Sequence, residues 1–529
     1  MNDAPPPTWV TKRDGRLVPF EADRICRALF AASESLGQAD PFLARELADS
    51  VVHFLAEDCA DQSLATSRIA EVVVQVLREL GQPALARAFA EHPRDGAREV
   101  DRPATLADAL AQAAHRFTLQ QVYTRDLAAA QEAGLIVLTG LHTPNELHSC
   151  ILGAPAPLSG DLLADLEEAR RFVGQTVALD GLDYLPGPSP DLLADAIARG
   201  LRLTGLSGVA SLNSALPPSW AISLAEGPLF STPSAMITSH RPRAEEIFAA
   251  LLPHLGRSLR VDWHLTGEDL AAPARLREPI RLALEGAPIG FVLDRPRRPI
   301  HLAEGLDRRH PAVLLIAGLS LPALLRQPGM LADADRYLQR LGSLARLVLS
   351  AAVQKRNHLR RQQGPDQRDM SRGFLLDRAR CVVVPVGLDA VVQQFTGWSL
   401  ATGGPALELA RRIVVRLMEV LRKDGRAVQI EANLDSPYSL SLDGSDPASL
   451  EQVAGISTWG SVGTLKSQAR AGSAALAPVE AGTLALFFTQ GEERTPSVVL
   501  ETLELLWRQT EVTRVRFLTP APQQATLWP

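Results

Sequence analysis

Apolar positions near the start of the chain change from a short β pattern to helical spacing. A β segment with a turn over residues 10–20 precedes three stretches of helical pattern. In the third stretch, six apolar residues fall on one face of a helix: Ile69, Val72, Val73, Val76, Leu77 and Leu80. Thr66 or Ser67 can cap its start, and residues 81–83, Gly-Gln-Pro, can end it. The pattern predicts a compact, mainly helical unit over residues 9–92.

The pattern changes again after a polar segment at residues 93–104, which carries Pro and Gly, lacks periodicity and is predicted to be a linker. Beyond it, stretches with helical spacing alternate with short apolar stretches. The helical stretches lie near 105–132, 160–173, 189–202, 242–254 and 327–360, and the β-like stretches at 134–140, 235–238, 289–294 and 312–321. Repeated helix–turn–strand units of this kind predict an α/β layer or barrel.

The clearest of these units spans residues 405–434. Its helix stripe consists of Ala410, Ile413, Val414, Leu417, Val420 and Leu421. The sequence Lys-Asp-Gly at 423–425 is expected to end the helix. Four alternating apolar residues then predict a strand: Val428, Ile430, Ala432 and Leu434.

Composition excludes several classes of protein. The chain has 529 residues, and its 46% hydrophobic content is enough for a sizeable core. Its 54 Lys+Arg and 60 Asp+Glu give a net charge of −6, which is not the basic footprint of a nucleic-acid-binding protein. There is no apolar run of about 18 residues, as a membrane span requires, and no signal-peptide pattern at residues 1–8. We therefore expect a cytoplasmic protein with neither nucleic acid nor membrane as partner.

Cysteine usage points to the same compartment. The four cysteines, Cys26, Cys59, Cys150 and Cys381, are scattered and form no Cys-x-x-Cys pair. A disulfide framework and a cysteine-rich zinc site both need clustered spacing. We expect reduced thiols and no bound metal.

The β-turn-α pattern at the start carries a candidate binding site. Lys12, Arg13 and Arg16 lie near the turn. Lysine offers a point charge, arginine a two-pronged donor, and the backbone N–H groups of the following helix also attract phosphate. These residues can bind a phosphate group, although a solvated basic turn would show the same pattern.

The same stretch resembles the opening of the ATP-cone, a nucleotide-binding regulatory domain of ribonucleotide reductases and of their transcriptional repressor. The residues that match in order are Val10, Lys12, Arg13, Gly15, Phe20, Arg24, Ile25 and Ala28, with Arg24 where the family usually has lysine. Residues 67–92 are similar to the closing helices of that domain. The resemblance implies that ATP or dATP binds as an effector that switches oligomeric state or activity. It implies nucleotide contacts from Val10, Lys12, Arg13 and Arg24.

The remainder resembles the anaerobic, glycyl-radical type of ribonucleotide reductase. Segments 134–152, 207–230, 372–414 and 481–517 are similar to segments of that family. The resemblance implies an α/β fold in which the helical ATP-cone domain precedes a ten-stranded α/β barrel over residues 105–517, with a tail at 518–529. It also makes Asn213 a candidate for the barrel pocket, because 205–214 is similar to a segment that lines the substrate site.

The chemistry of that family needs groups that this sequence does not match. It uses a glycyl radical near the C-terminus, a cysteine on a loop inside the barrel, a second reducing cysteine and zinc-binding cysteines. After Phe517 only LTPAPQQATLWP follows, without Gly or Cys, and no cysteine lies between Cys150 and Cys381. We therefore expect no glycyl radical. Cys150 aligns roughly with the first reductase cysteine and is the one catalytic candidate, although a packing role in the core would also explain it.

These observations favour a nucleotide-binding protein that resembles anaerobic ribonucleoside-triphosphate reductase but is catalytically degenerate. Its expected role is regulatory or that of a partner in nucleotide metabolism, with nucleotides, other copies of itself and an intact reductase as partners. One alternative is an active anaerobic reductase completed by another chain. A second alternative is a nucleotide-responsive regulator.

Overall fold

A computed structural model describes most of the chain, in two compact units at residues 1–109 and 110–529. The described ranges are 9–11, 17–20, 22–36, 41–58, 63–91, 105–152, 161–185, 189–217, 233–256, 258–303, 305–362, 375–435, 464–479, 482–488 and 494–518.

The N-terminal unit combines a small sheet with four helices. Strand β1 (Trp9–Thr11) pairs antiparallel with β2 (Leu17–Pro19) and parallel with β3 (Ser63–Ala65). The helices are α1 (Ala22–Ser35), α2 (Pro41–Asp58), α3 (Thr66–Glu79) and α4 (Pro83–Glu91). On α3, four residues of the apolar stripe are buried: Val72, Val73, Val76 and Leu77. The predicted mainly helical unit is confirmed.

The start of α3 differs from the prediction. The helix begins at Thr66 after Ala65, and no side chain caps it. The Thr66 hydroxyl instead donates to the carbonyl oxygen of Thr11, at 3.1 Å. A cap would require that hydroxyl to accept from the helix backbone. The contact to the neighbouring strand takes its place and ties α3 to β1.

The second unit is built around ten strands. Five parallel strands form one half: β5 (Leu147–Leu152), β6 (Val173–Asp180), β7 (Ser207–Leu212), β8 (Leu259–Leu265) and β9 (Ile289–Leu293). Five more run in the opposite direction: β12 (Ala312–Ser320), β13 (Ala379–Val386), β14 (Ala432–Leu434), β15 (Thr483–Phe487) and β16 (Arg514–Leu518).

Their order is β14-β13-β12-β5-β6-β7-β8-β9-β16-β15, and a short strand β4 (Ile136–Leu138) pairs with β12. The backbone N–H of Thr483 donates to Asp435 Oδ1 at 3.3 Å, which joins β15 to the end of β14. That side-chain contact links the two ends of the strand order, while β14 and β15 share no strand pairing within the described residues. The predicted ten-stranded α/β barrel is confirmed.

The helices of this unit lie between the strands in sequence. They are α5 (Leu106–Phe117), α6 (Arg125–Glu132), α7 (Leu162–Arg170), α8 (Pro190–Thr204), α9 (Pro233–Leu251), α10 (Gly267–Ala271), α11 (Arg277–Leu284), α12 (Leu321–Leu325), α13 (Ala334–Gln362), α14 (Leu388–Thr396), α15 (Pro405–Ala427), α16 (Leu465–Leu476) and α17 (Pro496–Gln509). None of the helices within the described ranges has the length and apolar character needed to cross a lipid bilayer.

Two local predictions are wrong. Residues 235–238 belong to α9 rather than to a strand, since so short an apolar run fits either structure. Helix α15 continues past residues 423–425 to Ala427, and only Ala432–Leu434 forms the strand. Gly425 lies inside the helix and leaves room for the chain that follows, since a Cβ there would lie 2.7 Å from the Ile430 carbonyl oxygen. The chain after the helix therefore packs against Gly425, and the helix does not end at that residue.

A hairpin fills part of the barrel interior. Strands β10 (His301–Ala303) and β11 (Leu306–Asp307) pair antiparallel. Ile300, Leu302, Ala303 and Leu306 pack against inward residues of β5, β6, β7, β12 and β13. Those inward residues are Ile151, Ala178, Val209, Val313, Ile316, Val382, Val384 and Val386. Their outward neighbours join the separate core that includes the surrounding helices.

Substitution of Gly305 at the hairpin tip is expected to destabilise the barrel. Its φ is +68°, and an added Cβ would lie 2.1 Å from Val382 Cγ2. Overpacking of this kind costs about 1–3 kcal/mol, in addition to the backbone strain. Gly305→Ala should therefore lower the unfolding midpoint in denaturant. Gly256→Ala is the matched control, since no atom lies within 4 Å of its added Cβ. Equal midpoints for the two variants would contradict this packing.

Candidate functional site

The described part of the N-terminal site consists of a strand and the start of a helix. Val10 lies in β1 between Val18 of β2 and Leu64 of β3. Arg24 is exposed in the first turn of α1, which begins three residues after β2 ends. Lys12 and Arg13 fall outside the described residues, between β1 and β2 in sequence. Two predicted contacts thus lie on the strand that enters the turn and on the helix that follows β2.

The interior of the barrel has a charged side that sequence reasoning missed. On β8, Arg260, Asp262 and His264 point inward and alternate with outward apolar residues. On β16, Arg514 and Arg516 alternate with apolar residues in the same way. The signal was present in the sequence as a period of two within RVDWHL and RVRFL.

An ion pair crosses the middle of this charged side. Asp262 and Arg514 are each about 1% exposed and form a salt bridge, although their strands are not neighbours. Strand β9 lies between them, and Gly290 of β9 leaves the space for the pair. A Cβ at Gly290 would lie 2.5 Å from Asp262 Oδ1. The glycine allows the two charges to meet across an intervening strand.

A second polar cluster lies at the carboxyl ends of β6–β9, where α/β folds usually place their sites. His264 Nδ1 is 2.8 Å from Asp294 Oδ1, and both side chains are buried. No described residue forms a hydrogen bond with His264 Nε2. Burial lowers the pKa of His264, but the surrounding carboxylates, Asp294 first and then Asp262 and Asp180, together raise that pKa above its ordinary value. The pair is therefore suited to hold a proton inside the barrel.

Asn213, the pocket candidate of the sequence, is buried within this cluster. Its φ is +64°, an uncommon value for a residue other than glycine. The Asn213 amide nitrogen donates to the His264 carbonyl at 2.9 Å, and its backbone N–H donates to Asp183 at 3.1 Å. Burial raises the pKa of Asp183 to about 7. Strained backbone and a shifted carboxyl group are both common at functional sites.

Two further ion pairs fix the hairpin inside the ring. Arg308 donates to both carboxylate oxygens of Asp180 on β6, at 2.8 and 2.9 Å. Asp307 accepts from Arg380 on β13 at 2.8 Å. Charge-assisted, two-pronged contacts are among the strongest polar interactions in proteins. The hairpin is thus attached to both halves of the barrel.

The two barrel cysteines do not face the interior. Cys150 and Cys381 belong to the outward core, whereas their neighbours Ile151 and Val382 pack around the hairpin. Burial raises the pKa of each thiol to about 12. A thiol with such a pKa is an unreactive packing residue. Cys150, the catalytic candidate of the sequence, thus lies on the face of its strand away from the barrel interior.

The buried His264–Asp294 pair predicts a pH-dependent stability. Burial raises the pKa of Asp294, but His264, the Ala215 N–H and Arg308 together lower it below its ordinary value, so its contribution is present above the ordinary carboxyl pKa. The contribution of His264, whose pKa is raised, is complete below about 6.5 and is lost as pH rises through the folded-state pKa. Asp294→Asn should therefore lower the melting temperature more at pH 6 than at pH 9.

The control for this experiment is Asp195→Asn, since Asp195 pairs with His254 at 3.2 Å but is 72% exposed. Its effect on the melting temperature should be small at both pH values, because solvent screens exposed pairs. An Asp294→Asn variant with the same loss at pH 6 and pH 9 would contradict a charged buried pair.

The comparisons with known proteins concern both units. Residues 8–92 match the family model of the ATP cone domain. A search of curated protein sequences gave no match. The chain is similar to the structure of an anaerobic ribonucleotide reductase, with 10% identity and a TM-score of 0.57 over 84% of each chain.

The anaerobic ribonucleotide reductase from Thermotoga maritima is also similar. Its structure with dATP bound in the specificity site aligns over 94% of this chain and 92% of its own, with 10% identity and a TM-score of 0.54. Its complex with dATP and CTP aligns over 78% and 82%, with the same identity and TM-score. The N-terminal region is thus an ATP-cone domain, as predicted, and the chain has the fold of an anaerobic ribonucleotide reductase.

Proposed function

We propose that this protein binds ATP or dATP through its ATP-cone domain and carries a reductase-type barrel that performs no radical chemistry. Its proposed role is that of a regulator or partner in nucleotide metabolism, in the cytoplasm. The observation that carries this proposal is the hairpin inside the barrel. Its sequence over residues 300–310, IHLAEGLDRRH, contains no cysteine.

Radical reduction of a ribonucleotide requires a sulfur atom in contact with the substrate. In the reductases that the barrel resembles, a cysteine on a loop inside the barrel supplies it. The hairpin occupies the interior here, and its tip packs against Val382. Cys150 and Cys381 lie on the opposite faces of their strands. A second chain that brought a radical would also have to supply this sulfur, which disfavours an active reductase completed in that way.

The proposed nucleotide contacts are Val10, Lys12, Arg13 and Arg24. Lys12 and Arg13 would bind the triphosphate, with Arg24 in reach from the first turn of α1. Support comes from the ATP-cone match and from the positions of Val10 in β1 and Arg24 in α1, which precede and follow Lys12 and Arg13 in sequence. The positive end of the α1 dipole adds to the attraction for phosphate.

The test is calorimetric titration of the full chain with ATP and with dATP. We expect saturable binding of at least one of them. Adenosine is the matched ligand control, because it lacks the phosphates that the basic residues would bind. Absence of saturable heat for both nucleotides, or equal affinity for adenosine, would overturn the proposed site.

The proposed assembly is a homo-oligomer whose size depends on the bound nucleotide, with an intact ribonucleotide reductase as a further partner. ATP-cone domains act by this kind of switch. Light scattering of the full chain with and without each nucleotide measures it directly. The same mass under all conditions would contradict a nucleotide-driven change of assembly.

A further inference from the structure

The outer faces of α13 and α15 concentrate positive charge. Helix α13 has five basic side chains that are not buried and one acidic side chain. Helix α15 has six basic side chains that are not buried and three acidic ones. The pair thus has an excess of seven positive charges. Because the chain has a net charge of −6, everything else together carries a net charge of −13. The basic face is therefore a local feature of a protein that is otherwise strongly acidic.

The two helices form one continuous surface. Arg412 lies 2.5 Å from Asp335 near their starts, and Arg346 lies 2.6 Å from Asp424 further along. The two pairs follow in the same order and at nearly the same separation in residues along each helix, so the helices run parallel to each other. Gly342 allows close packing, because its added Cβ would lie 3.2 Å from the Arg416 guanidinium. The pairs are 11 residues apart on α13, which corresponds to about 17 Å of helix.

A shallow apolar cleft, open to solvent and lined along one face of α15, lies within this basic face. It has a volume of about 580 Å³ and begins at Gly404, before the first turn of α15. Leu407 and Val415 supply its apolar lining, with Val415 39% exposed, and Glu408, Arg411 and Arg412 also line it, so that two arginines outnumber the one carboxylate. An apolar side chain flanked by carboxylates would complement this arrangement.

We propose that the basic face of α13 and α15 binds an acidic, amphipathic helical segment of a protein partner, with an apolar side chain of that segment in the cleft. Arginine supplies eight of the nine basic residues nearest the ion pairs and the cleft, at positions 336, 340, 346, 411, 412, 416, 422 and 426, with Lys423 beside them. The planar guanidinium group of arginine binds a carboxylate with two hydrogen bonds. The inference does not depend on nucleotide binding by the ATP-cone domain.

A nucleic acid fits this face less well. Single strands bind by stacking their bases on exposed aromatic side chains. The one aromatic residue in the two helices is Tyr337, which is buried. An apolar cleft also contributes nothing to the binding of phosphates. A peptide with both carboxylates and leucines satisfies the two properties of the face together.

The test uses a fluorescein-labelled synthetic peptide with leucine and glutamate at helical spacing, titrated by anisotropy against the full chain. The charge variant is Arg340→Glu with Lys423→Glu, since neither side chain pairs with any described residue. The cleft variant is Leu407→Ser with Val415→Ser. The matched control is Arg199→Glu with Arg202→Glu on α8, which makes the same change in charge at exposed positions elsewhere.

We expect the charge variant to weaken binding at least tenfold and the cleft variant about fivefold, with the control unchanged. A peptide with serine in place of leucine should bind about tenfold more weakly than the leucine peptide. No binding at 100 μM, equal losses in the control, or equal affinity for the serine peptide would overturn the proposal. Tighter binding of a labelled DNA duplex than of the peptide would also overturn it.

Discussion

Replacement of both Lys12 and Arg13 by alanine should reduce the affinity for ATP and dATP by about 100-fold or more. A hydrogen bond to a charged group contributes about 1.5–3 kcal/mol, and each tenfold change in affinity corresponds to about 1.4 kcal/mol. Both residues are proposed to hold the triphosphate at the turn after β1. Calorimetric titration of the full-length variant measures the loss.

Arg24 should contribute less to nucleotide binding than Lys12 and Arg13 together. Arg24→Ala, on the first turn of α1, is expected to weaken nucleotide binding about tenfold, as one charge-assisted contact would. Arg78→Ala is the control, since Arg78 lies in the last turn of α3 and is exposed. Equal affinities for wild type and the Lys12/Arg13 double variant would place the nucleotide elsewhere.

Asp262→Ala should destabilise the barrel by about 3–5 kcal/mol, because it leaves the buried Arg514 guanidinium without its carboxylate. Denaturant unfolding measures this loss as a lower unfolding midpoint. If the loss exceeds the stability of the barrel, the variant does not accumulate as folded protein. The double variant Asp262→Leu with Arg514→Met should recover most of the loss, since an apolar pair of similar size leaves no buried charge.

The exposed contact between Glu278 and Arg281 on α11 is the matched control for this prediction. Their nitrogen and oxygen atoms lie 2.6 Å apart, but both side chains are about half exposed. Glu278→Ala should therefore change the unfolding midpoint very little. If Asp262→Ala changed the unfolding midpoint as little as Glu278→Ala, the interior pair would be open to solvent.

Sequence patterns predicted the fold where burial on one face dominated. The stripe on α3 and the α15–β14 unit both produce a simple period that survives in the structure. Boundaries failed where a single contact decided them. The Thr66 hydroxyl donates a hydrogen bond to β1 instead of capping α3. Gly425 lies within its helix, with the Ile430 carbonyl oxygen packed against it.

The barrel interior could not be predicted in the same way. The ion pair of Asp262 and Arg514 joins strands that are 252 positions apart in sequence but separated by one strand in space. Nothing local indicates that they meet. The hairpin at residues 301–307 is similarly short and mixes apolar with charged residues, and its burial depends on the strands that surround it. The face on which Cys150 lies depends on the register of β5, which the order of residues alone did not fix.

The most direct test of the account is an anaerobic assay for deoxynucleotides. Purified full-length protein is incubated with ribonucleoside triphosphates, a radical-generating activating enzyme and a reductant, beside an intact anaerobic ribonucleotide reductase as positive control. A barrel that performs no radical chemistry forms no deoxynucleotide above the level without protein. Formation of deoxynucleotide that depends on this protein would contradict it.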